Sequence, residues 1–279
     1  MPSPLSQEKV KSIIDLYIDG NSMQAIRSNL KVDYETIVKY LKLNNITIRG
    51  NRTHSFNNTF FKCIDSEDKA YWLGFIYADG SVTKTSSKAN APNRLVLNLS
   101  AKDIEHLSLF KNTIEAFSSK IVTYIPKETY SENPMCRLYI NSVEMCKDLE
   151  FLGVIQNKTL KLNFPDIPDH LQRHFIRGYF DGNGSLSLNR NQASFSVTSN
   201  PKFLTKMQEI LMLQCSLSKT KLLSYPHKKC NVHDLRYGGN KQVFRIFNFL
   251  YKDSNVFLKR KYNKFVTTFG CNGLYLHPN

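Results

Sequence analysis

Carboxylates are scarce in this sequence. Its 279 residues carry 23 Asp and Glu against 38 Lys and Arg, a formal net charge of +15. A surface so short of negative charge attracts polyanions, which points to nucleic acid or an anionic membrane. Long apolar runs are missing too. No stretch approaches the roughly 18 residues that a membrane helix needs, so a spanning protein is excluded. The opening MPSPLSQEKVKS has no apolar centre, so no secretory leader is expected. The six cysteines, Cys63, Cys136, Cys146, Cys215, Cys230 and Cys271, include no C-x-x-C pair. That spacing fits neither a zinc knuckle nor a disulfide framework, and it suits a reducing compartment. There is no G-x-x-x-x-G-K-[ST] loop and no G-x-G-x-x-G turn, so the usual nucleotide cradles are absent.

What remains is an ordinary globular composition, 41% apolar and 22% charged, long enough for one large or two modest domains. The basic excess is uneven. Residues 1–60 have a net charge of +3, residues 61–200 of +1 and residues 201–264 of +11. The last of these stretches mixes Lys221, Lys228, Lys229, Arg236 and Arg245 with Tyr225, Tyr237 and Tyr251. Basic and aromatic residues so interleaved suit a surface that tracks phosphates and touches bases. Lys221, Lys228, Lys229 and Arg236 are the expected contacts there.

The first sixty residues read as helices. Ser6 caps an apolar pattern at Val10, Ile13, Ile14 and Tyr17, which Asp19-Gly20 ends. Ser22 opens a second helix with Ala25, Ile26 and Leu30 inward. Asp33 opens a third through Ile37, Val38 and Leu41. A tight turn at Lys31-Val32 joins the last two, a helix-turn-helix pattern over residues 1–48. Tyr34, Glu35, Thr36 and Lys39 are the outward candidates on the third helix for reading DNA. A polar stretch follows, carrying Arg49 and Arg52, and residues 49–65 read as a linker able to lie along a groove.

Two segments then resemble each other. YWLGFIYADGSV (Tyr71–Val82) aligns without gaps on FIRGYFDGNGSL (Phe175–Leu186), an offset of 104 residues. Gly74 meets Gly178, Asp79 meets Asn183 and Gly80 meets Gly184. Matching strands and helices follow each copy, among them a strand near 218–225 in the second, so a duplicated αββαββα unit would give two lobes about a pseudo-two-fold axis. Glycines at 74 and 178 would let the two helices pack with close backbone approach. Parallel packing would bring Asp79 and Asn183 together at one end. Oxygen ligands beside free helix-end carbonyls suit a hard divalent cation such as magnesium, which could activate water against a phosphodiester. His170 and His174 are four apart, a zinc-like spacing, but no Glu lies between them, so packing or phosphate contact is the better reading.

These segments resemble the LAGLIDADG motif, and residues 66–269 resemble single-chain LAGLIDADG homing endonucleases. The resemblance extends through FLGVIQNKTLKLNFP (151–165), HFIRGYFDGNG (174–184) and FLKRKYNKF (257–265). It implies an α+β fold with two pseudo-symmetric αββαββα lobes, 66–170 and 171–279. Their sheets would form a saddle over double-stranded DNA. It also implies a monomer that hydrolyses both strands across the minor groove with Mg2+. Carried over, Asp79 and Asn183 are the metal-binding positions, with the Ala78 and Gly182 carbonyls beside them. Lys158 and Lys261 match the basic residues that orient water, and they follow Asp79 and Asn183 by 79 and 78 residues. Lys259 is the nearest rival to Lys261.

The family pattern asks for an acid where Asn183 stands. An amide oxygen can ligate magnesium but brings no charge, so impaired cleavage or nicking of one strand is expected. Asp181 points differently on the helix and is not expected to substitute. The competing reading is a non-cleaving relative, either a regulator or an RNA-splicing maturase whose partner is intron RNA. A plain transcription factor does not account for the duplication. The Asn- and Lys-rich composition suits an AT-rich genome, hence the cytoplasm of a bacterial or phage-infected cell, or an organellar matrix.

Overall fold

Three helices open the chain: α1 (Gln7–Ile18), α2 (Met23–Leu30) and α3 (Tyr34–Leu43). The computed structural model describes residues 5–48, 56–86, 91–126, 133–155, 161–224 and 231–270. It divides the chain into two units, Met1–His54 and Ser55–Asn279. In the first unit Ser6 and Ser22 accept from the N–H groups of Lys9 and Ala25, fixing the starts of α1 and α2. Asp33 sits at the N-cap of α3 without a side-chain bond. Lys31 takes a left-handed backbone, φ 50 and ψ 50, which ends α2 and turns the chain into α3. Ile13, Tyr17, Ile26, Val32, Ile37 and Leu41 form a small core of its own.

The second unit is built from two copies of one pattern. The first copy runs α4 (Glu67–Asp79), β1 (Gly80–Thr83), β2 (Arg94–Ser100), a 3-10 turn (Ala101–Asp103), α5 (Ile104–Thr113), β3 (Ile121–Tyr124), β4 (Met135–Asn141) and α6 (Val143–Phe151). The second runs α7 (Asp169–Asn183), β5 (Gly184–Asn189), β6 (Gln192–Ser199), α8 (Pro201–Cys215), β7 (Leu223–Ser224), β8 (His233–Gly238), α9 (Asn240–Tyr251) and α10 (Lys259–Gly270). Each copy forms an antiparallel four-stranded sheet of identical order, β1-β2-β4-β3 and β5-β6-β8-β7. Strand alternation turns one face of each sheet to helices. Leu95, Leu97 and Leu99 of β2, and Ala193, Phe195 and Val197 of β6, enter the core, and their neighbours face outward.

Two expectations are corrected here. Residues 56–65 are not linker: Phe60, Phe61 and Ile64 are buried, Phe61 stacks on Phe110, and the Asn57 N–H bonds the Ile114 carbonyl at 2.8 Å. Their polar neighbours hid three apolar anchors. The strand expected over 218–225 shrinks to Leu223–Ser224 among the described residues. The chain before it is held to α8, by the Leu217 N–H on the Met212 carbonyl and by Gln208 Nε2 on the Thr220 carbonyl at 2.8 Å.

Helices α4 and α7 form the centre. From Ala70 to Tyr77, and from Phe175 to Asp181, every residue is buried, as expected of helices enclosed on all sides. A Cβ on Gly74 would overlap the Phe175 carbonyl oxygen, and one on Gly178 would overlap that of Tyr71. A Cβ on Gly182 would overlap Ala78 Cβ. The contacts ascend together along both helices, so the pair is parallel and in backbone contact.

The charged groups Arg177, Glu67 and Asp181 caught between the helices and their neighbours are satisfied. Arg177, fully buried, donates to Glu67 Oε1 at 2.6 Å and to the Val256 and Leu250 carbonyls at 2.8 Å each. Its Nη1 also lies 2.9 Å from His174 Nδ1, which gives that histidine a packing role. Glu67 also accepts from the Asn255 N–H and Nδ2, and these partners outweigh burial and lower its pKa. Asp181 accepts from Tyr251 Oη (2.6 Å), the Leu258 N–H (2.7 Å) and Tyr71 Oη (2.8 Å). Since Tyr71 donates its proton to Asp181, the His106 Nε2 at 2.9 Å must carry a proton and donate to Tyr71.

Two measurements check this core. Gly178→Ala must push backbone off backbone and should cost about 3 kcal/mol in urea unfolding. Gly238→Ala, whose added Cβ meets nothing within 4 Å, should leave the midpoint unchanged. Burial lowers the His106 pKa from 6.5 to about 4. Its stabilising neutral state is therefore lost progressively as pH falls from 6.5 toward 4. At pH 5 this one group should cost about 2 kcal/mol. His106→Gln should reduce the difference in stability between pH 7 and pH 5, while His174, lowered to about 4 by burial and by Arg177, keeps its share.

Candidate functional site

The parallel packing fixes what meets at the C-terminal end of the helix pair. Both helices end where a Gly N–H bonds back four residues: Gly80 to the Ile76 carbonyl and Gly184 to the Phe180 carbonyl. At that end Asp79 lies over the second helix, its Oδ2 3.1 Å from where a Cβ on Gly182 would stand. The bare α-carbon at 182 makes room for the carboxylate. Ala78 and Asp79 are half-buried and Asn183 is exposed. The Asn183 Nδ2 reaches Tyr179 Oη at 3.4 Å. Asp181, one turn-face away, is 1% exposed and fully engaged in the core; burial raises its pKa.

Lys261 projects from α10 into the same region and is buried. Its Nζ donates to the carbonyls of Phe180 (2.6 Å), Gly184 (2.6 Å) and Gly182 (3.2 Å) and lies 5.1 Å from the centre of the Phe180 ring. An ammonium has three donors, and all three are spent on the end of α7. Lys261 is therefore placed as a fixed positive charge on helix-end carbonyls, rather than as a group holding water. Burial lowers its pKa to about 8, against the nearby carboxylates of Asp181 and Asp79, which favour the charged form. Its neighbours on α10 are engaged elsewhere: Lys259 pairs with Glu105 at 3.1 Å, and Arg260 grips Asp103 through Nε (3.1 Å) and Nη2 (2.8 Å). Lys158 lies outside the described residues.

The outward faces of the sheets differ in chemistry. Strands β1–β4 contain no acid. On their open face Arg94 stacks over the Tyr139 ring at 4.8 Å and gives its Nε to Asn141 Oδ1 at 2.7 Å. Arg137 lies 4.5 Å from the Tyr124 ring centre and donates to Tyr124 Oη (2.5 Å), Tyr139 Oη (2.9 Å) and Asn98 Oδ1 (3.4 Å). The second sheet instead shows small hydroxyls, Ser194, Ser196 and Thr198, beside Asp234 and Arg236. Thr198 Oγ1 donates to Asp234 Oδ1 at 2.6 Å, and Arg236 leans on Asp234 Oδ2 at 3.5 Å.

The expected nucleic-acid contacts scatter. Tyr34 and Lys39 are exposed on α3 and Thr36 is half-buried; Lys221 and Arg236 are exposed. Arg49, Arg52, Tyr225, Lys228 and Lys229 lie outside the described residues. Tyr237 and Tyr251, expected on the basic surface, are buried at 3% exposure each, a correction. Strand alternation turns Tyr237 inward opposite Phe195, and Tyr251 is bound to Asp181. Arg245 gives Nη1 to the Ser216 carbonyl at 3.2 Å. Arg94 and Arg137 were not singled out, because the acids on the surrounding helices cancel them in a regional charge count. The polar positions of RLVLNLS and MCRLYIN, read at a period of two, carry the signal.

No curated protein sequence matches the chain. Among solved structures, the LAGLIDADG meganuclease I-AabMI bound to uncleaved DNA is similar at 15% identity and a TM-score of 0.47, over 74% of this chain and 93% of that one. The LAGLIDADG homing endonuclease I-GzeII in complex with its DNA target is similar at 13% and 0.46, over 73% and 91%. The N-terminal LAGLIDADG domain of DUF199/WhiA is similar at 14% and 0.43, over 76% and 90%. A family model described as a LAGLIDADG-like domain matches residues 170–247, which hold α7, the second sheet and most of α9. Within the second lobe, residues 170–247 match the LAGLIDADG-like domain family.

Proposed function

We propose that this protein is a sequence-specific DNA endonuclease of the homing type, dependent on Mg2+ and biased toward nicking one strand. The observation that carries the reading is the parallel helix pair that sets Asp79 against Gly182, one residue before Asn183, in a unit with two sheets whose open faces are polar. One chain supplies both faces, so it would act as a monomer on one long asymmetric duplex site. Helix α3, with Tyr34 and Lys39 exposed and Thr36 half-buried, would extend that site as a helix-turn-helix reader.

The donors present suit magnesium. The Asp79 carboxylate, the Ala78 carbonyl and the Asn183 amide oxygen are hard ligands, and the Gly182 carbonyl stands beside them, shared with Lys261. Among the described residues no group of three His, Cys, Asp or Glu is placed to hold a metal ion, so water and DNA phosphate oxygens would complete the shell. Bound there, the ion would stabilise charge on the phosphodiester oxygens and lower the pKa of water. Asp79 would supply the negative charge that holds the ion. Lys261 contributes a fixed positive charge that offsets the phosphate. Asn183 contributes an oxygen without charge, so the two strands meet unequal chemistry. That inequality supports nicking. It also favours a second reading, a non-cleaving regulator or RNA-splicing maturase that retains the fold.

Duplexes selected from a randomised library supply the target for a plasmid assay with Mg2+. The natural chain should yield more nicked than linear product. Asp79→Ala should yield neither while still shifting the duplex in a gel. Asn183→Asp, nearly identical in shape, should move product from nicked to linear. If all three proteins bind and none cuts, the non-cleaving reading replaces this one. Deleting residues 1–54 should leave the remaining unit folded, since the two cores are separate, and should shorten the protected duplex at one end.

A further inference from the structure

The first-lobe sheet holds two arginines whose partners are all neutral. Elsewhere in the larger unit Arg177, Arg236 and Arg260 each face a carboxylate, at 2.6, 3.5 and 2.8 Å. Arg94 and Arg137 instead rest on tyrosine rings and bond asparagine and phenol oxygens. Their full positive charge is kept, and their long side chains are already ordered. Arg94 has its Nε fixed by Asn141, which leaves four N–H donors on its two Nη groups for a ligand. Arg137 uses three of its five donors and keeps two.

Two parallel donors on a rigid plane match the O6 and N7 acceptors that guanine shows in the major groove, the commonest specific contact of arginine with DNA. A phosphate also takes a guanidinium fork, but it has no sequence, so only a base preference marks a guanine contact. Ordering both guanidinium planes in advance lowers the entropy that base recognition would otherwise cost.

We propose that Arg94 and Arg137 read two guanines in the half-site that the first lobe faces. The spacing follows from register. Arg94 pairs with Asn141, four residues along β4 from Arg137. At about 3.4 Å per residue this separates the two positions by about 14 Å along the strand. Bases stack about 3.4 Å apart, so the guanines lie about four base pairs apart. The second sheet carries hydroxyls and the Asp234–Arg236 pair at the matching positions, so this signature belongs to one half-site only.

This inference rests on the DNA-binding part of the proposed function and needs no cleavage. The full chain is used to select from a randomised duplex library in the absence of divalent metal. The expected product is a site with two guanines about four base pairs apart in one half. Arg94→Ala should lower the preference for guanine about tenfold at one of these positions and leave the rest of the site unchanged; Arg137→Ala should do the same at the other. Asn141→Ala, which only releases the Arg94 Nε, should blur the first position with little loss of total binding. Each variant's thermal midpoint checks that the sheet is intact. Equal weakening on every duplex would make the arginines phosphate contacts and overturn the inference. So would unaltered guanine preferences. A library from which nothing is enriched would instead overturn the DNA-binding reading itself.

Discussion

Everything in the larger unit depends on the contact between α4 and α7. Two helices can approach until backbone meets backbone only where side chains vanish, and Gly74, Gly178 and Gly182 provide those points. Close approach removes any freedom to slide. It therefore fixes the register of Asp79 against Gly182, the separation of the two sheets and the direction in which each open face looks. The glycines weaken each helix taken alone. The aromatic packing around them, from Trp72, Phe75, Phe175 and Phe180, offsets that loss with large buried areas.

The pseudo-symmetry is broken mainly by polar groups. Arg177 and Asp181 on α7 align with Leu73 and Tyr77 on α4, so only the second helix carries buried charge. Each charge finds partners from distant elements: Glu67 from the start of α4, and Tyr71, Tyr251 and the Leu258 N–H around Asp181. Removing one partner would strand a buried charge, which is far costlier than losing a surface pair. These networks tie the first lobe to the loop between α9 and α10, and the Arg260–Asp103 pair ties α10 to the first lobe again.

Much of this was legible in the sequence. The 104-residue offset exposes the duplication, because Gly74 and Gly178 occupy equivalent places in two apolar segments. The three N-terminal helices follow from Ser6, Ser22 and the period of Ile13, Tyr17, Ile26, Ile37 and Leu41. Less was legible about the site. Lys261 could be aligned, but its hold on three carbonyls depends on α10 folding back under α7, a long-range fact that no local pattern encodes. Tyr237 and Tyr251 looked like surface aromatics because composition ignores which side of a strand or helix a residue occupies. Arg94 and Arg137 were masked for the opposite reason: a regional sum averages a sheet face with the helices behind it.

The Glu67 contacts set an order of events during synthesis. Its partners Arg177 and Asn255 lie 110 and 188 residues further along the chain. Tyr71 likewise waits for Asp181. A first lobe leaving the ribosome has its own sheet and helices but not the apolar face that covers α4, nor the guanidinium that neutralises its first turn. It stays incomplete, with aromatic surface open, until nearly the whole chain exists. Contacts so remote in sequence close slowly. The same glycine-lined face that gives the finished molecule its rigidity therefore leaves the nascent one exposed to misassembly for the time it takes to translate the second lobe.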